Sequence, residues 1–173
     1  MWKTKKEIVK FLSSQLKQHV NENWGMTNSI LNDLAETLCP RLYAGMYAPH
    51  QLKSSRLRTR TKPYTLIVNV GNHFVSIYVS KTVALYVDSY GMRIFRPKVR
   101  EFLKSLEVPV FFNDRQLQSG HSKYCGLYAL LFCMYFECYS NRSMQTYFNF
   151  HKLAGPGNDR LCIAYIKKLI KRC

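Results

Sequence analysis

Acidic residues are scarce in this chain. Against 26 Lys and Arg stand only 10 Asp and Glu, and a formal charge of +16 over 173 residues excludes a self-neutralised surface. So large an excess repels itself and is tolerated where the partner is a polyanion, which makes DNA the expected partner. Long hydrophobic runs are lacking too: the longest, residues 125–136, falls short of the ~18 that cross a bilayer. The opening Met-Trp-Lys-Thr-Lys-Lys has no apolar signal-peptide core, so no membrane partner is expected. No Cys-x-x-Cys occurs among the six cysteines, and His121 has no second Cys/His pair nearby, so no metal site is expected. The thiols read as free, in an intracellular reducing compartment, with Cys133, Cys138 and Cys162 as small buried hydrophobes. Internal repeats and low-complexity segments are absent.

What is present is enough apolar material for a packed globule: 47% hydrophobic and 14% aromatic residues, in a chain about one domain long. Residues 1–173 read as one domain, with a helical N-terminal segment (1–40), a core (41–139) and C-terminal helices (140–173). Apolar residues at helical spacing predict an amphipathic helix over 4–19, with further helices over 28–38, 97–106, 144–153 and 159–172. Runs rich in β-branched and aromatic residues predict strands over 64–70, 73–79, 82–88 and 108–112, and residues 39–63 read as an irregular polar connector. The helix from Cys125 to about residue 139 is apolar on nearly every side, the mark of a central buried helix. The fold class is α+β, with a mixed, mainly antiparallel sheet against that helix and more helices at both ends.

Several residues fit the parts of thiol-based acyl transfer. Cys125 follows a polar run and opens the buried helix, where unpaired N–H groups favour a thiolate. His73 is the candidate general base and acid, Asp88 its orienting carboxylate, and the Gln118 amide with the Cys125 N–H the oxyanion donors. A two-residue Ser80-Lys81 loop pairs Val79 with Thr82 and sets His73 directly opposite Asp88, and a one-residue shift of that loop moves the carboxylate off the ring. Gln116 competes with Gln118, and Asp114 is the alternative acid. Arg56, Arg58, Arg60 and Lys62 alternate, so an extended segment would point four charges to one side, roughly 6–7 Å apart, a row suited to phosphates.

The ordered set His73-Phe74, Asp88-Ser-Tyr-Gly91, Gln118 and Cys125-Gly126 resembles adenain, the adenovirus maturation protease, and its relatives that process ubiquitin-like proteins. Upstream, Ala44-Gly-Met-Tyr-Ala-Pro-His-Gln-Leu52 is similar to the adenain N-terminal segment, which favours the viral branch. The resemblance spans residues 43–139. It implies a cysteine endopeptidase with a Cys125–His73–Asp88 triad and a Gln118 oxyanion hole, acting on protein or peptide substrates with small residues, often glycine, beside the scissile bond. It also implies DNA as an activator, no cofactor in the chemistry itself, and a location in the virion and host nucleus. Phe74 departs from the family's usual Trp, keeping an aromatic wall without the indole N–H. The family's disulfide-linked peptide activator is not carried over, because no cysteine occurs in residues 108–124.

The leading expectation is an endopeptidase that cleaves precursor proteins of a virus or virus-like element during particle maturation. A protease for ubiquitin or a ubiquitin-like modifier is the alternative within the same chemistry. A non-catalytic DNA-binding protein on a protease scaffold is the alternative outside it.

Overall fold

The computed structural model describes residues 4–18, 26–53, 57, 59–94, 96–139 and 154–172. Among the described residues a mixed five-stranded sheet packs with the helices α1 (Lys5–Gln18), α2 (Asn28–Leu38), α3 (Pro97–Lys104), α4 (Cys125–Tyr139) and α5 (Pro156–Arg172). The strands are β1 (Tyr43–Tyr47), β2 (Tyr64–Asn69), β3 (Phe74–Val79), β4 (Ala84–Val87) and β5 (Val110–Phe112), lying side by side in chain order. The two central pairings, β2 with β3 and β3 with β4, are antiparallel; the outer two, β1 with β2 and β4 with β5, are parallel.

Every residue of β3 is buried, because both faces of the sheet are covered. Alternation divides its side chains between two cores. Phe74 and Tyr78 join Ile67 and Val87 against α4, while Val75, Ile77 and Val79 join Leu66 and Tyr86 against Val99 and Phe102 of α3. Helix α4 packs on β2 and β3 and between α2 and α5, and its residues from Cys125 to Glu137 are all buried, as its all-round apolar sequence requires. The position of its first residue is therefore fixed by packing. Helix α1 packs on α5, with Ile8 and Leu12 fully buried.

Three local readings need correction. The connector expected to be irregular contains β1 and a short 3-10 helix, Pro49–Lys53. Strand β1 is broken at Gly45, whose φ of +120° accompanies a register shift between Tyr43 and Met46, so neither its length nor its pattern announces a strand. Leu57 and Thr59 have helical backbone and Leu57 is buried, so this stretch is not the extended row that alternation suggested. Arg60 donates from Nη2 to the Tyr43 carbonyl at 3.1 Å and Lys62 is half-buried, while Arg56 and Arg58 lie outside the described residues. Finally, Cys133 and Cys162 are free and buried, but Cys138 is disulfide-bonded rather than free. The helix expected over 144–153 lies outside the described residues.

The β3–β4 register also differs. Val79 pairs with Ala84, because the tight loop is Lys81-Thr82, closed by Ser80 N–H to the Val83 carbonyl at 2.9 Å. Ser80 Oγ accepts from the N–H groups of Thr82 at 3.2 Å and Val83 at 3.0 Å, and this local bonding selects the turn. Moving the loop by one residue moves the pairing by two, so each side chain keeps its face. His73 and Asp88 become diagonal neighbours just beyond the ladder, and the carboxylate is not carried off the ring.

One buried charge ties β1 to α4. Glu137 is 3% exposed; its carboxylate accepts from the Arg41 N–H at 3.2 Å, the Leu42 N–H at 2.9 Å and Arg41 Nε at 2.8 Å. Glu137→Ala strands two backbone donors and should lower stability by about 2–3 kcal/mol. Urea unfolding checks this, and an unchanged midpoint would show that the carboxylate is dispensable.

Candidate active site

Strand β4 ends in a tight turn over residues 88–91, closed by the Gly91 N–H to the Asp88 carbonyl at 2.9 Å. Gly91 sits at φ +67°, and a Cβ there would lie 2.5 Å from the Arg115 carbonyl carbon and 2.7 Å from the Gln116 nitrogen. Only glycine fits both the left-handed backbone and the close approach. Asn113 fixes the turn from the far strand: its Oδ1 accepts from the Asp88 N–H at 2.8 Å, and its Nδ2 donates to the Asp88 carbonyl at 2.6 Å. Asp88 is fully buried, and its Oδ1 accepts from the Tyr90 N–H at 2.8 Å.

The same Oδ1 lies 2.8 Å from His73 Nε2. His73 stands at the end of the β2–β3 hairpin, whose Gly71-Asn72 loop is closed by Val70 N–H to the His73 carbonyl at 2.9 Å. The other ring nitrogen, Nδ1, is buried without a hydrogen-bond partner and is left for the thiol of Cys125, which stands against the ring. Burial pushes the imidazole pKa down, but the hydrogen bond to Asp88 and the influence of Asp88 and the neighbouring Cys125 outweigh it, leaving the pKa raised to about 9.

Cys125 is the first residue of α4, so its N–H belongs to the turn that lacks intrahelical acceptors. The adjoining Gly126 has a packing reason: a Cβ there would lie 3.2 Å from Leu31, 3.3 Å from Met26 and 3.5 Å from Phe74. A side chain there would need the neighbouring residues of α2 and β3 to give way. Burial holds the thiols of Cys39 and Cys162 well above their ordinary range and pushes Cys133 up to about 12. These thiols stay protonated in the core, whereas Cys125 opens on a cavity of about 460 Å³ lined also by Met26, Phe74, Tyr90 and Ser122. Asn28, Asn69, Gly71 and Asn72 border both this cavity and a larger adjoining one of about 1090 Å³.

Gln118 is bound to the same turn. The Ser89 carbonyl accepts from the N–H groups of Leu117 at 2.8 Å and Gln118 at 3.0 Å, and Ser89 Oγ donates to Gln118 Oε1 at 2.7 Å. Gln118 Nε2 donates to the Ser122 carbonyl at 2.5 Å and to Tyr90 Oη at 3.1 Å. The reverse amide orientation would face oxygen against the Ser122 carbonyl, so the network itself fixes this one. Asn158 and Asp159 at the start of α5 hold the loop from the other side: Asn158 Nδ2 donates to the Leu117 carbonyl at 3.0 Å, and Asp159 Oδ1 accepts from the Ser119 N–H at 3.3 Å.

Cys125, His73 and Asp88 thus come together in one place, with Gln118 beside them, whereas Asp114, Gln116 and His121 are exposed. Among the described residues no cluster of three or more metal-ligating side chains is present, and no helix is long and apolar enough to cross a membrane. Sequence reasoning missed Ser89, Tyr90, Asn113, Asn158 and Asp159. The first two lie inside the recognised tetrapeptide; the others act across the fold and have no local signature.

The elevated His73 pKa makes a signed prediction. An imidazole near 6.5 when unfolded and about 9 when folded adds stability that is fully present below about 6.5 and lost as pH rises through about 9. The His73 ring resonances should titrate near 9, and their midpoint should fall in Asp88→Asn. A midpoint unmoved by that change would show that the carboxylate does not hold the proton.

No family model matches this chain, and no curated protein matches it. Its fold is similar to that of a de-sumoylating protease, with a TM-score of 0.52, 14% identity, and coverage of 91% of this chain and 82% of that one. It is also similar to the central domain of the uncharacterized Lpg1148 protein from Legionella pneumophila, with a TM-score of 0.51, 14% identity, and coverage of 84% of this chain and 97% of that one. At that identity the likeness establishes the fold alone; the finer likeness to the adenovirus enzyme rests on the sequence motifs.

Proposed function

We propose that this chain is a cysteine endopeptidase of the clan that includes de-sumoylating proteases. The observation that carries the reading is the buried 2.8 Å His73–Asp88 hydrogen bond with the Cys125 thiol, at the mouth of α4, against the same imidazole. Asp88 holds the ring with Nε2 toward itself, which leaves Nδ1 to exchange a proton with the thiol. The Cys125 thiolate attacks the peptide carbonyl, the oxygen takes up the displaced electron pair, and the His73 imidazolium protonates the amine as the C–N bond breaks. Water then hydrolyses the thioester with His73 as base. The Cys125 N–H is one donor to the oxyanion, and Gln118 belongs to the second. No cofactor takes part in these steps.

The two adjoining cavities beside Cys125 offer room for an extended peptide. Motif likeness in residues 44–52 and the +16 charge support precursor processing in a virus or virus-like element, with DNA concentrating enzyme and substrate. In that setting the enzyme works in the virion and host nucleus, with DNA as an activator. Removal of a ubiquitin-like modifier is the second reading, supported by the de-sumoylating neighbour.

A fluorogenic peptide ending in Gly-Gly-aminomethylcoumarin tests the proposal. Cys125→Ala should abolish turnover and His73→Ala should lower it ~10²–10⁴-fold; equal rates for the parent and Cys125→Ala would leave only a binding role. Labelling by a Gly-Gly-terminated ubiquitin-like probe favours deconjugation, and cleavage of internal Gly-containing peptides without such labelling favours maturation. The pH profile of kcat/KM should fall on its alkaline side near 9, where His73 loses its proton; a rate still rising there would contradict the ion pair. DNA affinity should drop steeply with salt, and a salt-insensitive complex would rule out phosphate contacts as its main source.

A further inference from the structure

The basic stretch over 56–62 is not extended, so its cations do not form the row that alternation suggested. A continuous cationic surface lies instead on α5. The inner side of that helix, with Cys162, Ile163, Ile166, Leu169 and Ile170, is buried. Its outer side carries Arg160, Lys168, Lys171 and Arg172, all exposed, and the half-buried Lys167. At 1.5 Å per residue they run over about 18 Å. The one acid of α5, Asp159, is 4% exposed and turned inward, accepting from the Ser119 N–H at 3.3 Å and from Tyr128 Oη at 3.2 Å.

Helix α1 packs on α5 and adds the exposed Lys5, Lys6 and Lys10. Its one acid, Glu7, is engaged in a reciprocal cap with Thr4, through bonds of 3.3 Å and 3.2 Å. Lys5 and Lys6 stand in the first turn of α1, where a helix disfavours cations, so helix stability does not account for them. The two helices meet at a cavity of about 500 Å³ bordered by Lys5, Arg172 and Arg41. Arg172 lies 4.8 Å over the Tyr139 ring, and Arg41 Nε is held 2.8 Å from Glu137 while its side chain stays 71% exposed. Glu137, the one carboxylate bordering this cavity, is itself buried. The cavity sits at the end of α4 opposite Cys125, about 20 Å along the helix. A polyanion bound there leaves the cavity at Cys125 open.

We propose that this α1–α5 face is the DNA-binding surface, holding the phosphates of a duplex without reading its sequence. The proposal rests on DNA being the polyanionic partner of this chain and gives that partner its place. The described exposed residues of the two helices include no aromatic ring on which an unstacked base could lie, and no amide to bond a base edge. They include no large apolar side chain either, so the face lacks what a helix needs to enter a lipid surface. Charge on a rigid, packed pair of helices is what remains, and a duplex backbone is its complement.

Fluorescence anisotropy of the full chain with short duplexes of unrelated sequence tests the proposal. The parent should bind them equally. Replacing Lys168, Lys171 and Arg172 together by Gln should weaken binding ~10²-fold at physiological salt and flatten the log–log salt dependence by about 3, with an unchanged urea midpoint. Lys5, Lys6 and Lys10 changed to Gln should give a comparable loss with α5 untouched, so the result does not hang on the folding of one variant. Gln at 56, 58, 60 and 62 should cost far less. The reverse ranking would overturn the location and leave DNA as the partner, whereas a parent that binds no duplex would sink both. Tighter binding to a single strand, to one of the duplex sequences, or to phosphatidylserine vesicles would overturn the assignment to a duplex backbone. Peptide hydrolysis plays no part in these measurements, so their outcome is separate from that of the protease reading.

Discussion

The turn at residues 88–91 is the constraint on which the site depends. Its four residues face four ways: Asp88 to the imidazole, Ser89 through carbonyl and hydroxyl to Gln118, Tyr90 to the Ser122 loop, and Gly91 against the Arg115 backbone. Because β4 pairs with β5, the chain returning from β5 passes directly beside this turn. Asn113, on that return, grips Asp88 by both backbone groups. The carboxylate is thus set by the sheet rather than by a free loop, and its hydrogen bond needs no ordering when substrate arrives.

The second fixed point is the start of α4. A helix buried on all sides cannot slide or rotate without opening cavities against β3, α2 and α5, so packing transmits directly to the position of Cys125. Gly126 lets that helix sit close against Met26, Leu31 and Phe74. Sheet and helix supply carboxylate and thiol from opposite sides of the imidazole. The ring turns Nε2 to the carboxylate and leaves Nδ1 for the thiol.

Much of this was legible in the residues. The α4 start at Cys125 and its Tyr139 end follow from an apolar run with no polar face, and β2, β3 and β4 from alternation and β-branching. The His73–Asp88 pairing was reached through a loop misplaced by one residue. It survived because moving a hairpin loop by one residue shifts the register by two and leaves facing intact. Strand β1 was hidden by Gly45 and its register shift, and the basic run through Arg60 by a helical stretch that alternation cannot reveal. Asn113 and Asp159 were invisible for a different reason: each acts on backbone groups far away in the chain, and nothing local marks such a partner. The burial of Gln118 is likewise a property of the folded loop, not of spacing.

The central claim is that Cys125, poised by His73 and Asp88, forms a covalent bond with a substrate carbonyl. Peptide-map analysis of iodoacetamide alkylation in the presence of a glycinal-terminated peptide aldehyde, which adds reversibly to a thiol as a thiohemiacetal, reads that claim at the sulfur itself. The aldehyde should protect Cys125 from alkylation, with protection lost in His73→Ala and Asp88→Ala. Protection that is absent, or that persists when His73 and Asp88 are removed, would contradict the assembly of these three side chains into one working site.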